Sequence, residues 1–227
     1  MLRPQVFIAG GTGYMGRRLI AALVTRRRDV LAFVRAGSES KVPAGANAIA
    51  GDVLSRESLG AAIPAGSIVV HLVGTPRPSP AKAAQFEALD FASARECIAA
   101  ATTAGARHFV YVSVAHPAPV MRAYVDVRVR VEALIEQSGM PHTIVRPWYV
   151  LGPGHRWGYL LLPMYWALSA FPATRDGSRR LGLVTIDQML ATLVAAVESA
   201  ETASRVIDVP EIRRAGKIRR AGKRTTA

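Results

Sequence analysis

Cysteine, acidic residues and long apolar runs are all scarce in this sequence. The single cysteine, Cys97, excludes an internal disulfide and both common zinc-binding patterns, so we predict no metal site. The uncharged stretch from 157 to 173 has only 17 residues and is broken by Pro163 and Pro172, so we predict no transmembrane helix. The chain enters its first apolar run almost at once, which leaves no room for a signal peptide, and we expect a cytoplasmic protein.

Positive charge is abundant, but much of it is confined to one end of the chain. The 227 residues include 29 Lys and Arg against 16 Asp and Glu, and 50% of them are hydrophobic. Residues 211 to 227 hold seven of these cations and repeat the motif IRRAGK without an apolar face. We therefore predict a single globular domain over 1 to 210 and a basic disordered tail over 211 to 227. The tail is either a solvated terminus or a contact for an anionic surface, and we expect no specific nucleic-acid partner.

A glycine-rich loop follows the first apolar run. Residues 5 to 16 read QVFIAGGTGYMG, and the helically spaced apolar residues of RRLIAALVTRR come next. The three glycines Gly10, Gly13 and Gly16 permit a tight turn, bring the backbone close to a pyrophosphate and aim helix N-terminal amides at its charge. This strand, loop and helix predict a dinucleotide site that also includes Thr12, Tyr14 and Met15.

Further apolar runs alternate with helical stretches along the chain. They are DVLAFVR (29 to 35), NAIAGDV (47 to 53), SIVVHLVG (67 to 74), HFVYVSV (108 to 114), MPHTIVR (140 to 146) and SRVIDVP (204 to 210). The alternation predicts an α/β fold with a Rossmann-type, doubly wound parallel sheet. Ligands bind such sheets at the carboxyl ends of the strands. The predicted cofactor residues at these ends are Arg35, Asp52, Val53, Leu72, Val73, Gly74 and Pro147.

Arg35 bears on the choice of cofactor. Folds that prefer NAD carry an acidic residue at the end of the second strand, where it binds the ribose hydroxyls. An arginine at this position pairs instead with a 2′-phosphate, unless it simply faces solvent. The sequence therefore favours NADP(H) over NAD(H).

Several segments together resemble one enzyme group. GGTGYMG (10 to 16), GDV (51 to 53), YVDVR (124 to 128) and RPWYVLGPG (146 to 154) are similar to motifs of the atypical short-chain dehydrogenases/reductases, the NAD(P)-binding group with NmrA-like and NAD-dependent epimerase-like members. The resemblance implies a catalytic set of Ser113, Tyr124 and, in place of the usual lysine, Arg128. One helical turn separates Tyr124 from Arg128, so the guanidinium can support a phenolate, although it cannot give up its own proton.

The resemblance also implies a small C-terminal substrate cap at about 147 to 183. Trp148 and Tyr149 follow the sixth strand and are predicted to line a pocket for a small apolar molecule, unless they are core aromatics. The segment from 157 to 173 is either a lid over that pocket or a peripheral membrane contact.

Two functions follow from these patterns. The first is an NADP-dependent oxidoreductase acting on a small apolar carbonyl, alcohol or quinone-like substrate, in which Tyr124 exchanges the proton, Ser113 holds the substrate oxygen and Arg128 supports Tyr124. The second is a catalytically silent dinucleotide-binding protein, serving as a redox sensor or an accessory subunit of a larger assembly.

Overall fold

The computed structural model describes residues 3 to 153, 180 to 200 and 203 to 215. The strands in this part of the chain are β1 (Val6–Ala9), β2 (Val30–Val34), β3 (Asn47–Ala50), β4 (Ile68–His71), β5 (His108–Val112), β6 (His142–Arg146), β7 (Tyr149–Leu151), β8 (Leu183–Thr185) and β9 (Arg205–Asp208). The helices are α1 (Tyr14–Val24), α2 (Arg56–Ala62), α3 (Ala83–Gln85), α4 (Ala92–Thr103), α5 (Arg122–Gln137) and α6 (Ile186–Glu198), and a π-helical turn (Phe86–Phe91) joins α3 to α4.

The main sheet has seven parallel strands in the order β3-β2-β1-β4-β5-β6-β9. The order reverses direction between β1 and β4, so the loops after these two strands diverge and leave a crevice at their carboxyl ends. The predicted Rossmann-type fold is confirmed. A second, two-stranded parallel sheet is formed by β7 and β8, which lie between β6 and β9 in the chain.

Alternating side chains of the strands fill two hydrophobic cores, one on each face of the sheet. On β1, Val6 and Ile8 join the cluster that contains Leu19 of α1 and Leu193 of α6. Phe7 and Ala9 point to the opposite face, into the cluster formed with α2, α4 and α5. Successive side chains of a strand point to opposite faces, and both faces of this sheet are buried, so nearly every residue of these strands must be apolar.

The C-terminal end of the domain lies beyond its predicted boundary. Residues 209 to 215 are helical, and Val209 and Ile212 are fully buried in the core on the α1 and α6 face. Arg213 donates from Nε to the Leu183 carbonyl at 3.0 Å. The start of the predicted disordered tail is thus helical because Ile212 has an apolar core to enter. Residues 216 to 227 lie outside the described part of the chain.

The predicted lid or membrane contact at 157 to 173 also lies outside the described residues, as does most of the predicted cap. Within the described ranges, none of the helices is both long enough and apolar enough to cross a membrane.

Candidate functional site

The glycine loop packs more tightly than side chains would allow. Gly10 has a φ of +89°, and a Cβ there would lie 3.0 Å from the Leu72 carbonyl carbon and the Val73 nitrogen. A Cβ on Gly16 would lie 2.3 Å from the Gly10 oxygen. Gly13 caps α1 and donates its amide to that same oxygen at 3.1 Å. Helix α1 therefore begins directly against the end of β1, with its amide end open to an anion.

A cavity of about 520 Å³ lies beside this loop, at the carboxyl ends of β1 to β4. Eight of the predicted cofactor residues line it, namely Gly10, Thr12, Gly13, Arg35, Val53, Leu72, Val73 and Gly74. Seven further lining residues were not predicted, namely Phe33, Val34, Ser38, Lys41, Gly51, Pro76 and Leu89. Ser38 and Lys41 could have been predicted from the sequence, because they lie within six residues of Arg35 at the end of the second apolar run.

The remaining residues of the predicted cofactor set do not line this cavity. Asp52 accepts a hydrogen bond from the Leu54 amide at 2.9 Å, so it shapes the loop before α2. The Pro147 carbonyl accepts the Ala115 amide at 2.9 Å and ties the ends of β5 and β6 together.

Three other predicted cofactor residues, Tyr14, Met15 and Gly16, pack within the protein and do not line the cavity. The Tyr14 hydroxyl would lie 2.2 Å from a Cβ on Gly152, so the Tyr14 side chain extends to the end of β7. Met15 packs against the core on the α1 and α6 face, and Gly16 permits the close approach to Gly10.

Arg128 forms a buried network with groups from three other parts of the fold. The guanidinium is 5% exposed and donates from Nη2 to Asp90 at 2.6 Å, and from Nη1 to the Tyr111 hydroxyl and the Val112 carbonyl at 3.0 Å. Asp90 is fully buried and also accepts the Thr75 amide at 2.8 Å and the Thr75 hydroxyl at 2.6 Å. The pair thereby fixes the end of β4, the end of β5 and helix α5 relative to one another.

Protonation in this network follows from burial and from the ion pair. Burial lowers the pKa of Arg128, but Tyr111, Tyr124 and Asp90 more than offset this effect, so its pKa is raised and it stays charged. Burial raises the pKa of Tyr111 to about 12, so it stays a neutral phenol. Burial, followed by the charge of Arg128, lowers the pKa of His71 to about 3, so that imidazole is neutral.

Gly74 separates the Arg128 and Asp90 pair from the cofactor cavity. A Cβ at Gly74 would lie 2.9 Å from Arg128 Nη2 and 3.1 Å from Asp90 Oδ1, while Gly74 itself lines the cavity. Arg128 is not among the described residues that line it. The guanidinium is therefore held behind the backbone of this loop by Asp90, which sequence reasoning did not single out.

Tyr124 lies next to this network, as its spacing predicted. Its ring packs edge-on against Phe86 with centroids 5.1 Å apart, and the Arg128 guanidinium carbon lies 4.9 Å from its centroid. The ring is partly exposed, and its hydroxyl makes no hydrogen bond to the described residues. The Arg128 cation lies beside the ring, and Tyr124 is not among the described residues that line the cofactor cavity.

Ser113 belongs to a second buried network, centred on Glu132. The Ser113 hydroxyl donates to Glu132, and Arg146 donates to the same carboxylate from Nε at 3.1 Å and from Nη2 at 2.5 Å. His116 Nε2 lies 3.3 Å from the second carboxylate oxygen. A bond to a carboxylate is stronger than a bond to a neutral carbonyl, so the one hydroxyl hydrogen of Ser113 is directed to Glu132. Its role towards a substrate oxygen stays a prediction.

The two predicted substrate aromatics lie at and beyond the end of β6. Trp148 is partly buried and packs against the core on the α1 and α6 face. Tyr149 begins β7, and burial raises the pKa of its phenol. Neither lines the cofactor cavity, and their predicted contact with a substrate stays a prediction.

Comparison with known proteins agrees with this geometry. A family model described as NAD(P)H-binding matches residues 10–159, which is more than half of the chain. The chain belongs to this NAD(P)H-binding family. Its nucleotide-binding character, predicted from the glycine loop, is thereby confirmed.

Two curated relatives of this NAD(P)H-binding protein are named as reductases. A 3-diazoavenalumate denitrifying reductase from a Streptomyces species is 28% identical over 87% of this chain and 73% of the relative. A 4-hydroxy-2-methyl-3-oxo-4-farnesyl-3,4-dihydroquinoline-1-oxide ketoreductase from Stigmatella aurantiaca is 29% identical over 65% of this chain, which spans only 51% of that relative.

A solved structure shares the fold. It is a short-chain dehydrogenase/reductase superfamily protein from Agrobacterium tumefaciens with bound NAD, and it has a TM-score of 0.65 and 20% identity over 90% of this chain and 77% of its own. The predicted resemblance to the short-chain dehydrogenases/reductases is confirmed at the level of the fold.

Arg128→Lys tests the buried network of this NAD(P)H-binding protein. We expect the free energy of unfolding, measured by urea denaturation, to fall by on the order of 2 kcal/mol, because one ammonium cannot reproduce the planar fork between Asp90 and Tyr111. Arg130→Lys is the matched control, since Arg130 lies on the same helix in an exposed pair with Glu87, and should cost less than about 0.5 kcal/mol. Equal stability of the two variants would contradict the network.

Glu132→Gln tests the second network through its pH dependence. Burial raises the pKa of Glu132, but hydrogen bonds from Arg146 and Ser113 outweigh it, so its folded pKa is lowered. A lowered carboxylate pKa stabilises the fold above the unfolded value of about 4.3, and this contribution is lost as the pH falls below it.

We expect Glu132→Gln to lower the unfolding free energy at pH 7 by on the order of 3 kcal/mol, because Arg146 loses its charged partner. The gap from the unaltered protein should narrow steadily below about pH 4.3. Glu57→Gln, at an exposed glutamate of α2, is the control and should change little at either pH. A gap that stays constant with pH would show that the carboxylate charge is not the cause.

Proposed function

We propose that this protein is an NADP(H)-dependent reductase of small, largely apolar carbonyl or quinone-like compounds. The observation that carries the proposal is the cavity at the carboxyl ends of β1 to β4, which is lined by the glycine loop and by two cations, Arg35 and Lys41. The two curated relatives, both named as reductases, support the direction of the reaction.

The described residues fit a dinucleotide. Gly10 and Gly16 let the loop fold closely against the end of β4 and against itself, where a Cβ would clash with backbone atoms, and the α1 amides begin at the same place. The cavity runs from this loop to Val53 on one side and to Gly74 on the other. A pyrophosphate would lie at Gly13, with an adenine beside Val53 and the second nucleotide towards Gly74.

The charge of the cavity supports NADP(H). Its described lining includes Arg35 and Lys41, both exposed, and the hydroxyl of Ser38, but no carboxylate. Two cations and a hydroxyl suit a 2′-phosphate, whereas the ribose hydroxyls of NAD are best met by an acid.

Tyr124 is the group best placed to transfer a proton. Its hydroxyl makes no hydrogen bond to the described residues, and the guanidinium carbon of Arg128 lies 4.9 Å from the centre of its ring. When bound, the nicotinamide supplies the hydride. Tyr124 then gives its proton to the substrate oxygen, and Arg128 steadies the charge left on the phenol without passing on a proton of its own.

An apolar substrate is supported by one relative and by the aromatic residues near the site. The Stigmatella aurantiaca relative is by its name a ketoreductase for a farnesylated dihydroquinoline oxide. In this chain Trp148 and Tyr149 follow the end of β6, where the substrate side of such a sheet begins.

The alternative is a silent dinucleotide-binding sensor. The observation in its favour is that both terminal nitrogens of Arg128 are bound to protein groups, so the arginine that replaces the usual lysine does not face the cavity. Such a protein would keep the glycine loop and would not depend on the Tyr124 hydroxyl.

Cofactor titration tests the nucleotide assignment. We expect NADPH to bind at least about tenfold more tightly than NADH, by quenching of tryptophan fluorescence or by calorimetry. Arg35→Ala and Lys41→Ala should each weaken NADPH binding by roughly tenfold and leave NADH binding unchanged, because each removes a cation from the 2′-phosphate. Arg95→Ala, at an exposed arginine on α4, is the control. Equal or tighter binding of NADH would overturn the NADP assignment.

Tyr124→Phe separates the enzyme from the sensor. With NADPH and a panel of small aromatic ketones and quinones, we expect turnover of the best substrate to fall by roughly 10² to 10⁴, because the proton donor is lost. The dissociation constant for NADPH should stay within about twofold of the original. Failure of the unaltered protein to reduce any member of the panel, or full turnover by the variant, would favour the sensor.

A further inference from the structure

The helical segment between β4 and β5 contains one wide turn. Regular helix of α3 ends at Gln85, the backbone follows a π-helical path from Phe86 to Phe91, and regular helix resumes in α4. Such turns are rare and occur mostly as single insertions, often at functional sites. The loop that carries Gly74 and Thr75 precedes α3 and this turn in the chain, and Asp90 of the turn binds Thr75.

Three side chains of this turn reach three different parts of the candidate site. Phe86 is fully buried and meets the Tyr124 ring edge-on at 5.1 Å, with an interplanar angle of 63°. Leu89 lines the cofactor cavity. Asp90 holds the Arg128 guanidinium, which lies 4.9 Å from the centre of the Tyr124 ring.

The position of the Tyr124 ring depends on these contacts. No hydrogen bond to the described residues fixes its hydroxyl, so the packing of the ring decides where the hydroxyl points. Phe86 forms one side of that packing directly, and Asp90 secures the other side through Arg128. Both sides therefore originate in the same π-helical turn.

We propose that Phe86 is a positioning residue for Tyr124, and that the π-helical turn sets where the phenol lies relative to the cofactor cavity. The inference rests on the proposed function, in which Tyr124 transfers a proton. Phe86 touches neither cofactor nor reacting atoms in this account and acts only through Tyr124. A displacement of about 1 Å at a reacting group can cost up to 10²-fold in rate, so a contact of this kind has a measurable effect.

Phe86→Leu is the test, with Phe91→Leu as its matched control. Both residues are aromatic and lie in the same turn. The Tyr124 ring packs against Phe86, whereas the Phe91 ring is covered by the Arg130 side chain at 4.0 Å. We expect Phe86→Leu to lower kcat by roughly tenfold and to leave the dissociation constant for NADPH within about twofold. Phe91→Leu should leave both within about twofold, whatever it does to the melting temperature.

A double variant shows whether Phe86 acts through Tyr124. If it does, Phe86→Leu adds no further loss of turnover to Tyr124→Phe, because the positioned group is already gone. Losses that multiply in the double variant would overturn the proposal. So would a Phe86→Leu variant that resembles Phe91→Leu, or one in which kcat and cofactor affinity fall together with thermal stability.

A spectroscopic measurement tests the contact without any substrate. In protein labelled with ¹³C at the tyrosine rings, the Tyr124 signal is the one that Tyr124→Phe removes. This signal should shift in Phe86→Leu, because the neighbouring ring is lost, and should stay in place in Phe91→Leu. An unmoved signal would overturn the proposal even if the protein proves to be an enzyme. A shifted signal with no loss of activity in Tyr124→Phe would instead overturn the proposed function alone.

Discussion

The ion pair between Asp90 and Arg128 is the interaction on which the candidate site depends. Asp90 comes from the π-helical turn and Arg128 from α5, and between them they bind Thr75 after β4 and Val112 at the end of β5. Removing one member of a buried pair leaves an uncompensated charge, at a cost on the order of 3–5 kcal/mol. Asp90 therefore has two effects. It holds the loop at Thr75 beside the cofactor cavity, and it binds the Arg128 guanidinium so that this group does not face the cavity.

Helix α5 is fixed to the sheet by two opposite charges one turn apart. Arg128 and Glu132 have the spacing of a helical ion pair, yet each binds a different partner, Asp90 in one case and Arg146 in the other. One pair secures the helix towards β4 and the other towards β6. Tyr124 lies one turn before Arg128 on this helix, so its location relative to both strands is set by the two networks together.

Much of this arrangement was predictable from the sequence, and the rest was not, for a physical reason. Apolar runs and glycine spacing are local properties, so the strands and the loop at Gly10 to Gly16 could be read directly. The neighbourhood of Tyr124 and Arg128 follows from helical periodicity, and the structure places the guanidinium beside that ring. Asp90 and Glu132 look like ordinary helical carboxylates, because only the tertiary fold buries them and supplies their partners. Ile212 was likewise assigned to a disordered tail, because its sequence neighbours are basic and only the tertiary fold shows the hydrophobic core in which it is buried.

The two sets of charges at this site differ in their contact with water. Arg35 and Lys41 are exposed at the cavity, whereas Arg128 and Asp90 are enclosed by protein. Dissolved ions screen exposed charges over about 10 Å at 0.1 M salt and reach enclosed ones far less. On the proposed assignment, higher ionic strength would weaken phosphate binding at the exposed Arg35 and Lys41. It would change the field of the enclosed Arg128 and Asp90 pair much less, so salt would affect how often the site is filled more than it affects the charges beside Tyr124.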